Sequence, residues 1–332
     1  MERCTIIVDT RDRFSPMAKC LKTLMEHTPR SHDLLVVAGG VPEHLRVAWV
    51  REFGEHIRFI FRPHFVNQAQ ARNIGLREAR TRLAVVMDDD VYVRPGWLEA
   101  LVRCQQETGA VMVIPNMLET ERKIHTAGND IYITYEHGKA YGHKHLRYHG
   151  MILGERCELK RQPTDYGELH LQLVAVEPTL RLNAYDERIL EVGEVDQGLT
   201  YAKAGLTMMF EPASVIYYAL RSPILADDIK PFAWRWDMRN ILQGYRYFEQ
   251  KWGIDITEHG GFRDFLLKYN SQLGMLPRLF PSMLTLQIDR RIGHLRKAIW
   301  LLGAPLRAPQ MIAREIRARW LGYYSWQVPV VN

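Results

Sequence analysis

Cysteine is scarce. The chain of 332 residues has four, and Cys4, Cys20, Cys104 and Cys157 stand far apart with no C-x-x-C pair. This argues against a thiolate zinc site and a disulfide framework, and it fits reduced thiols in a cytoplasmic protein. Long apolar runs are missing as well, since none approaches the roughly 18 residues that a bilayer span requires. "AIWLLGAPL" (298–306) is too short and is flanked by Lys297 and Arg307. The opening "MERCTIIVDT" has neither the basic nor the apolar stretch of a secretory leader. Internal repeats and low-complexity segments are absent. Acids almost vanish after residue 275, where only Asp289 and Glu315 stand among Arg278, Arg290, Arg291, Arg296, Lys297, Arg307, Arg314, Arg317 and Arg319. The net charge of +6 therefore admits anionic partners such as nucleotides, nucleic acid or an acidic membrane surface, without choosing among them.

What is present is a regular alternation. "CTIIVDT" (4–10) reads as a buried strand, and "SPMAKCLKTLMEHT" as a helix opened by the Ser15-Pro16 pair. Strands at "DLLVVAGG", "IRFIFRP", "RLAVVM" and "GAVMVIPNML" alternate with helices at "PEHLRVAWVREFG", "NQAQARNIGLREART" and 97–108. Over about 115 residues this pattern predicts an α/β fold with a mostly parallel sheet. From 120 to 180 it loosens into a stretch rich in His, Gly and Tyr, expected as hairpins and loops beside the sheet. "LRLNAYDERI", "VDQGLTYAKAG" and "LTMMFEPASVIYY" restore strand and helix signals. "PFAWRWDMRNILQGYRYFEQKWG" (231–253) reads as one strongly aromatic helix.

Asp88, Asp89 and Asp90 follow the fourth predicted strand directly. In open α/β sheets, ligands bind beyond the carboxyl ends of the strands. Three like charges in a row repel one another, and a hard divalent cation such as Mg²⁺ or Mn²⁺ would relieve that while bridging to a diphosphate. A solvated acidic turn is the plain alternative.

The surroundings of the triplet favour the cation. "QARNIGLREARTRLAVVMDDDVYVRPGWLEAL" resembles the central signature of family-2 glycosyltransferases, with Arg72, Asn73, Gly75 and Ala79, then Asp88 and Asp90 as a D-x-D, then Pro95, Gly96, Trp97 and Leu98 in register. "IIVDTRDR" resembles the first strand and turn of that family. "YDERILEVGEVDQGLTYAKAGLTMMFEPASVIYY" resembles its later acidic segment, with Asp186, Glu187, Ala204, Gly205 and Pro212 in register. The resemblance covers most of residues 4–220. It implies a GT-A (Rossmann-like) fold, a nucleotide-diphosphate sugar donor, one Mn²⁺ or Mg²⁺ ion, and direct displacement with inversion at the anomeric carbon.

Site residues follow from it. Thr10, Arg11 and Asp12 would lie beside the base and ribose, and Arg72 would add positive charge near the donor, a surface helix arginine being the other reading. Asp90 would hold the metal, with Asp88 on the ribose or assisting the metal. Asp89 would lie between them at the donor and be the most replaceable of the three. The second strand ends in "VVAGG" where the family usually has acids, so Gly39 would line the donor through backbone alone and the base stays unassigned. A carboxylate must deprotonate the acceptor hydroxyl. Glu194 is favoured for this and Asp196 is the close rival, an acidic helix N-terminus being the plain alternative. The family's late histidine falls on Tyr218, a poor metal ligand. "FAWRW" keeps Arg235 and Trp236 but has Phe232 where processive synthases have glutamine, so transfer of a single sugar is expected.

His143-x-His145 has ligand spacing, but nothing completes a zinc set. Trp234, Trp236, Tyr245 and Tyr247 are acceptor-stacking candidates or a helix core. The basic tail reads either as a peripheral contact with the inner membrane face, suiting a lipid-linked acceptor, or as packing on the catalytic domain or on a second copy in a homodimer. Nucleic acid is not expected as a partner. The expected layout is a catalytic domain over 1–222, with a nucleotide-binding half (1–118) and an acceptor-binding half (119–222), then a helical basic extension over 223–332. The acceptor would be a glycan, a lipid-linked saccharide or a small molecule. Two other classes compete. A nucleotidyltransferase would need a Gly-rich, Lys-bearing phosphate loop that "DTRDRFSP" lacks. An inactive relative, binding sugar or acting as a scaffold, would account for the altered second strand and Tyr218.

Overall fold

The computed structural model describes residues 1–154, 158–219 and 225–256. The basic segment beyond 275 and the expected boundary at 222 lie outside them.

The alternation appears as expected. It runs β1 (Cys4–Asp9), α1 (Met17–His27), β2 (Asp33–Gly39), α2 (Glu43–Phe53), β3 (Ile57–Arg62), α3 (Gln68–Glu78) and β4 (Leu83–Asp88). These four strands pair in parallel in the order β3-β2-β1-β4. Every residue of β1 and β4 is buried, because helices cover both faces of the sheet. Ile6 and Val8 turn to the core shared with α1, and Ile7 turns to the face covered by α3. α3 lies close on β1. A Cβ at Gly75 would sit 2.4 Å from Ile7 Cγ2, so the motif glycine is what allows this approach. A capping box opens α3: the Asn67 side chain accepts from Gln70 N, and the Gln70 side chain accepts from Asn67 N.

The second half continues with β5 (Val91–Val93), α4 (Trp97–Thr108), β6 (Met112–Leu118) and β7 (Ile124–Thr126). β8 (Asn129–Glu136) and β9 (Lys139–Leu146) form the expected hairpin, antiparallel over eight residue pairs. Then come β10 (Gln162–Pro163), β11 (Leu171–Ala175), α5 (Val176–Arg181), α6 (Gly193–Lys203) and β12 (Met208–Tyr218). β11 was not expected as a strand. It runs antiparallel between β4 and β6, carrying a fully buried Gln172 whose amide donates to Gly167 O and Gln197 Oε1. The main sheet has ten strands, ordered β10-β12-β6-β11-β4-β1-β2-β3, with β5 on β12 and β7 on β6.

The expected aromatic helix over 231–253 is two helices, α7 (Ile229–Arg235) and α8 (Met238–Trp252). Between them Trp236 and Asp237 leave helical geometry, and Asp237 O accepts from Ile241 N at the start of α8. Ile241, Tyr245 and Phe248 line the buried face of α8. β13 (Ile254–Asp255) then adds to β9, giving a small sheet ordered β13-β9-β8. No helix among the described residues is long and apolar enough to cross a membrane.

Candidate active site

β1 and β4 end side by side, with Asp9 opposite Asp88 in the parallel register. The two following turns, Thr10–Arg13 and Asp89–Asp90, therefore share one strand-end pocket. Asp9, Asp88, Asp89 and Asp90 are all at most 1% exposed. The triplet is thus no solvated turn.

Arg72 anchors this cluster from beneath. It has no exposed surface, and it donates to Asp9 Oδ2 at 2.8 Å, to Asp88 Oδ1 at 2.7 Å and to the Leu169 carbonyl. The surface reading of Arg72 fails, since the guanidinium is fully buried, and its Nη1 has no hydrogen-bond partner among the described residues. Burial pushes the Asp9 carboxyl up to about 7, against the opposing pull of Arg72.

The three aspartates differ in what they have left to offer. Asp88 is saturated. Its Oδ1 also accepts from Gln68 Nε2 at 2.6 Å, and its Oδ2 lies 2.9 Å from His170 Nδ1. Asp90 Oδ2 accepts from Arg13 at 3.3 Å, while its Oδ1 is buried without a partner among the described residues. Asp89 Oδ2 is likewise buried and unpartnered among the described residues. Burial raises the pKa of all three.

The β1 turn closes the pocket. Arg11 donates to the Tyr218 hydroxyl at 2.7 Å, and its Nε lies 4.0 Å from Asp88 Oδ2. Thr10 is buried. Asp12 accepts from Arg13 Nε and from Trp236 Nε1, each at 2.9 Å. Although burial opposes it, Arg13 and Arg11 hold the Asp12 carboxyl below its usual range. Trp236 is 1% exposed, so it cannot offer a face to an acceptor as expected. Trp234 is partly buried against Phe65, ring centroids 5.7 Å apart. Tyr245 belongs to the core of α8. At Gly39 a Cβ would come within 2.3 Å of His64 O, because residues 64–66 cross the end of β2. Glycine there answers to crowding by the chain.

Tyr218 stands where a histidine was expected, and a histidine from another element fills the same space. His170, directly before β11, lies tilted against Tyr218 with ring centroids 3.9 Å apart. One ligand atom each from Asp88, Asp90 and His170 lie within 4.8 Å of one another. Sequence reasoning missed His170. Its local signal was slight, because it directly follows "PTDYGEL" in a stretch with no regular strand or helix spacing. His143 and His145 pair instead with Thr134 and Asp130 on the hairpin.

The rival bases face opposite ways from the first turn of α6. Glu194 is buried and ion-paired with Lys144 of β9, and despite burial that lysine holds its pKa below the usual range. Glu168 and His170 lie close enough to act on the same group electrostatically. Asp196 turns to α8, accepting from Trp252 Nε1 at 2.7 Å and from Lys251. Val192, which precedes α6, adopts φ +56°, a left-handed conformation that a β-branched residue rarely takes.

Residues 5–156 match the sequence model of Glycosyl transferase family 2. "Uncharacterized protein y4gI" of Sinorhizobium fredii (strain NBRC 101917 / NGR234) is 23% identical over 223 residues, covering 64% of this chain and 24% of that protein. The chain thus spans about a quarter of that relative's length. Among solved structures, GalNAc-T7 with UDP, GalNAc and Mn²⁺ matches at TM-score 0.51 and 14% identity, over 80% of this chain and 54% of the other. The mannosyltransferase PcManGT of Pyrobaculum calidifontis, in complex with GDP-Man and Mn²⁺, gives 0.49 and 15%, over 98% and 87%. The GalNAc-T7 likeness shows a shared fold.

Proposed function

Residues 5–156 form a glycosyltransferase family 2 domain on a GT-A fold, and from that premise we propose that the chain moves one sugar from a nucleotide-diphosphate sugar to an acceptor hydroxyl, with inversion. The observation that carries this reading is the pair of buried oxygens Asp90 Oδ1 and Asp89 Oδ2 at the carboxyl end of the sheet, unpartnered among the described residues. Buried carboxylate oxygens are costly without a cation. An all-oxygen donor set with a nearby imidazole suits Mg²⁺ or Mn²⁺, and the GalNAc-T7 structure of similar fold holds Mn²⁺. Such an ion, held chiefly by Asp90, would neutralise the diphosphate leaving group as a Lewis acid.

The chain's own residues account for the remainder. Gln68, Arg72 and His170 fix Asp88, and through it the strand end on which Asp90 sits. Arg11 and Arg13 add fixed positive charge beside the same pocket. In the reaction the acceptor oxygen bonds to the anomeric carbon as the bond from that carbon to the diphosphate oxygen breaks. The hydroxyl proton passes to a Glu194 carboxylate oxygen. Lys144 keeps Glu194 ionised, and hence able to accept that proton, although the group is buried. Asp196 serves instead to seat α8.

The test is donor turnover by the full chain with Mn²⁺, with EDTA, and as Asp90→Asn. Loss of donor hydrolysis and transfer in both the EDTA and variant samples is expected. Equal turnover in all three would overturn the metal-assisted reading.

A further inference from the structure

We propose that His125, Glu168 and His170 form a second metal site, for a transition-metal dication of the Zn²⁺ class, distinct from the Asp90-centred site. This does not rest on the donor reading. One ligand atom from each of the three residues lies within 4.8 Å of the other two. His170 Nε2 is already 3.9 Å from Glu168 Oε2. Ligands around a tetrahedral zinc, at bond lengths of about 2.0–2.2 Å, stand about 3.3–3.6 Å apart. The three groups are thus near closure without a change of fold.

Hydrogen bonding sets both rings for this role. His125 Nδ1 faces Glu119 Oε1 at 3.1 Å, and His170 Nδ1 faces Asp88 Oδ2 at 2.9 Å. Ionised carboxylates only accept, so each Nδ1 carries the proton and each Nε2 presents its lone pair. A carboxylate behind the non-ligating nitrogen is the usual support of a metal-bound histidine. Both rings are buried, and both lie against Tyr218, with centroids 5.0 Å and 3.9 Å away. That contact fixes their planes.

The same bonds decide against a neighbouring set. Glu119, His125 and His149 also bring ligand atoms within 4.8 Å of one another. There, however, both Glu119 oxygens are already engaged, Oε1 by His125 Nδ1 at 3.1 Å and Oε2 by Lys123 Nζ at 2.5 Å. Glu119 thus stands behind the proposed site as a support, with Lys123 as its other partner. Lys144 is the cation that would compete for Glu168, but its ammonium is engaged by Glu194. Two imidazoles and one carboxylate select zinc over Mg²⁺, which prefers oxygen ligands. Three protein ligands also leave one position for a hydroxyl, of water or of an acceptor.

The test is titration of the metal-free full chain with Co²⁺ and Zn²⁺ without nucleotide, read by Co²⁺ absorption and calorimetry. One ion is expected in the micromolar range or tighter. His125→Gln and Glu168→Gln should each weaken it at least about tenfold, while Asp90→Asn and His149→Gln leave it unchanged. Glu168 is partly exposed, so its isosteric variant gives a folded sample where a substitution at His125 disrupts the core. No binding by the unsubstituted chain up to about 1 mM would overturn the proposal. So would binding that survives Glu168→Gln, or binding that is lost in Asp90→Asn or His149→Gln.

Discussion

Asp9 gives the most quantitative consequence of the buried carboxylate cluster. It is fully buried beside Arg72 and opposite Asp88, and burial raises its pKa from 3.8 to about 7. The folded chain therefore holds a proton on Asp9 that the unfolded chain has already lost over the interval between these values. Because the folded state binds more protons there, stability falls as pH rises. The contribution is full below about pH 4 and is gone once pH has passed about 7. Between pH 5 and 7 the change covers two pH units, or about 3 kcal/mol at 1.36 kcal/mol per unit. His170 and His32, whose pKa values are lowered by burial, oppose this trend below their unfolded value. A difference measurement removes them. We expect urea unfolding in EDTA to show the original chain losing about 3 kcal/mol more than Asp9→Asn between pH 5 and pH 8. Equal pH dependence of the two proteins would refute the assignment of a protonated, buried Asp9.

Glu194→Gln should cut transfer by roughly 10²-fold or more and leave nucleotide binding intact, whereas Asp196→Asn should keep kcat and lower stability by roughly 1–3 kcal/mol. Parallel kinetics and chemical denaturation separate the two, and a reversed pattern would exchange the roles. At pH 8, where Asp9 has lost its proton, Arg72→Met should cost about 3–5 kcal/mol, since it strands two buried carboxylates. An unchanged denaturation midpoint would show that they are solvated. Gly39→Ala should destabilise by about 1–3 kcal/mol through its contact with the His64 carbonyl, and a variant as stable as the original would mean that residues 64–66 move aside freely.

The strand–helix alternation was legible because each unit is local: an apolar run, then a helical stripe, then a turn. The D-x-D pocket was legible for the same reason, as "ARNIG", "DDD" and "PGWL" lie within one continuous stretch. What escaped was set by depth and by distant neighbours. Arg72 looks like any helix arginine until β1 and β4 are laid above it. Asp88 and Asp90 look alike until Gln68, Arg72 and His170 are counted around one of them. β11 was hidden because a buried Gln172 breaks the apolar pattern and finds its partners in Gly167 and Gln197. The α7–α8 break was hidden because the aromatic spacing continues through it. His125, Glu168 and His170 come from two separate stretches, and no spacing rule joins them.

The hydrogen bond from Trp236 to Asp12 joins residues 224 positions apart in the chain. During synthesis, then, the acidic pocket stays incomplete until nearly all of the described chain has left the ribosome. Asp228 extends the dependence, because its carboxylate accepts from the backbone of Phe14 and Ser15. A growing chain can assemble β1 through β4 early, but the turn after β1 waits for α7. Such long-range closure slows folding. It also means that a chain truncated before residue 225 would carry the whole D-x-D signature with its first turn unsecured.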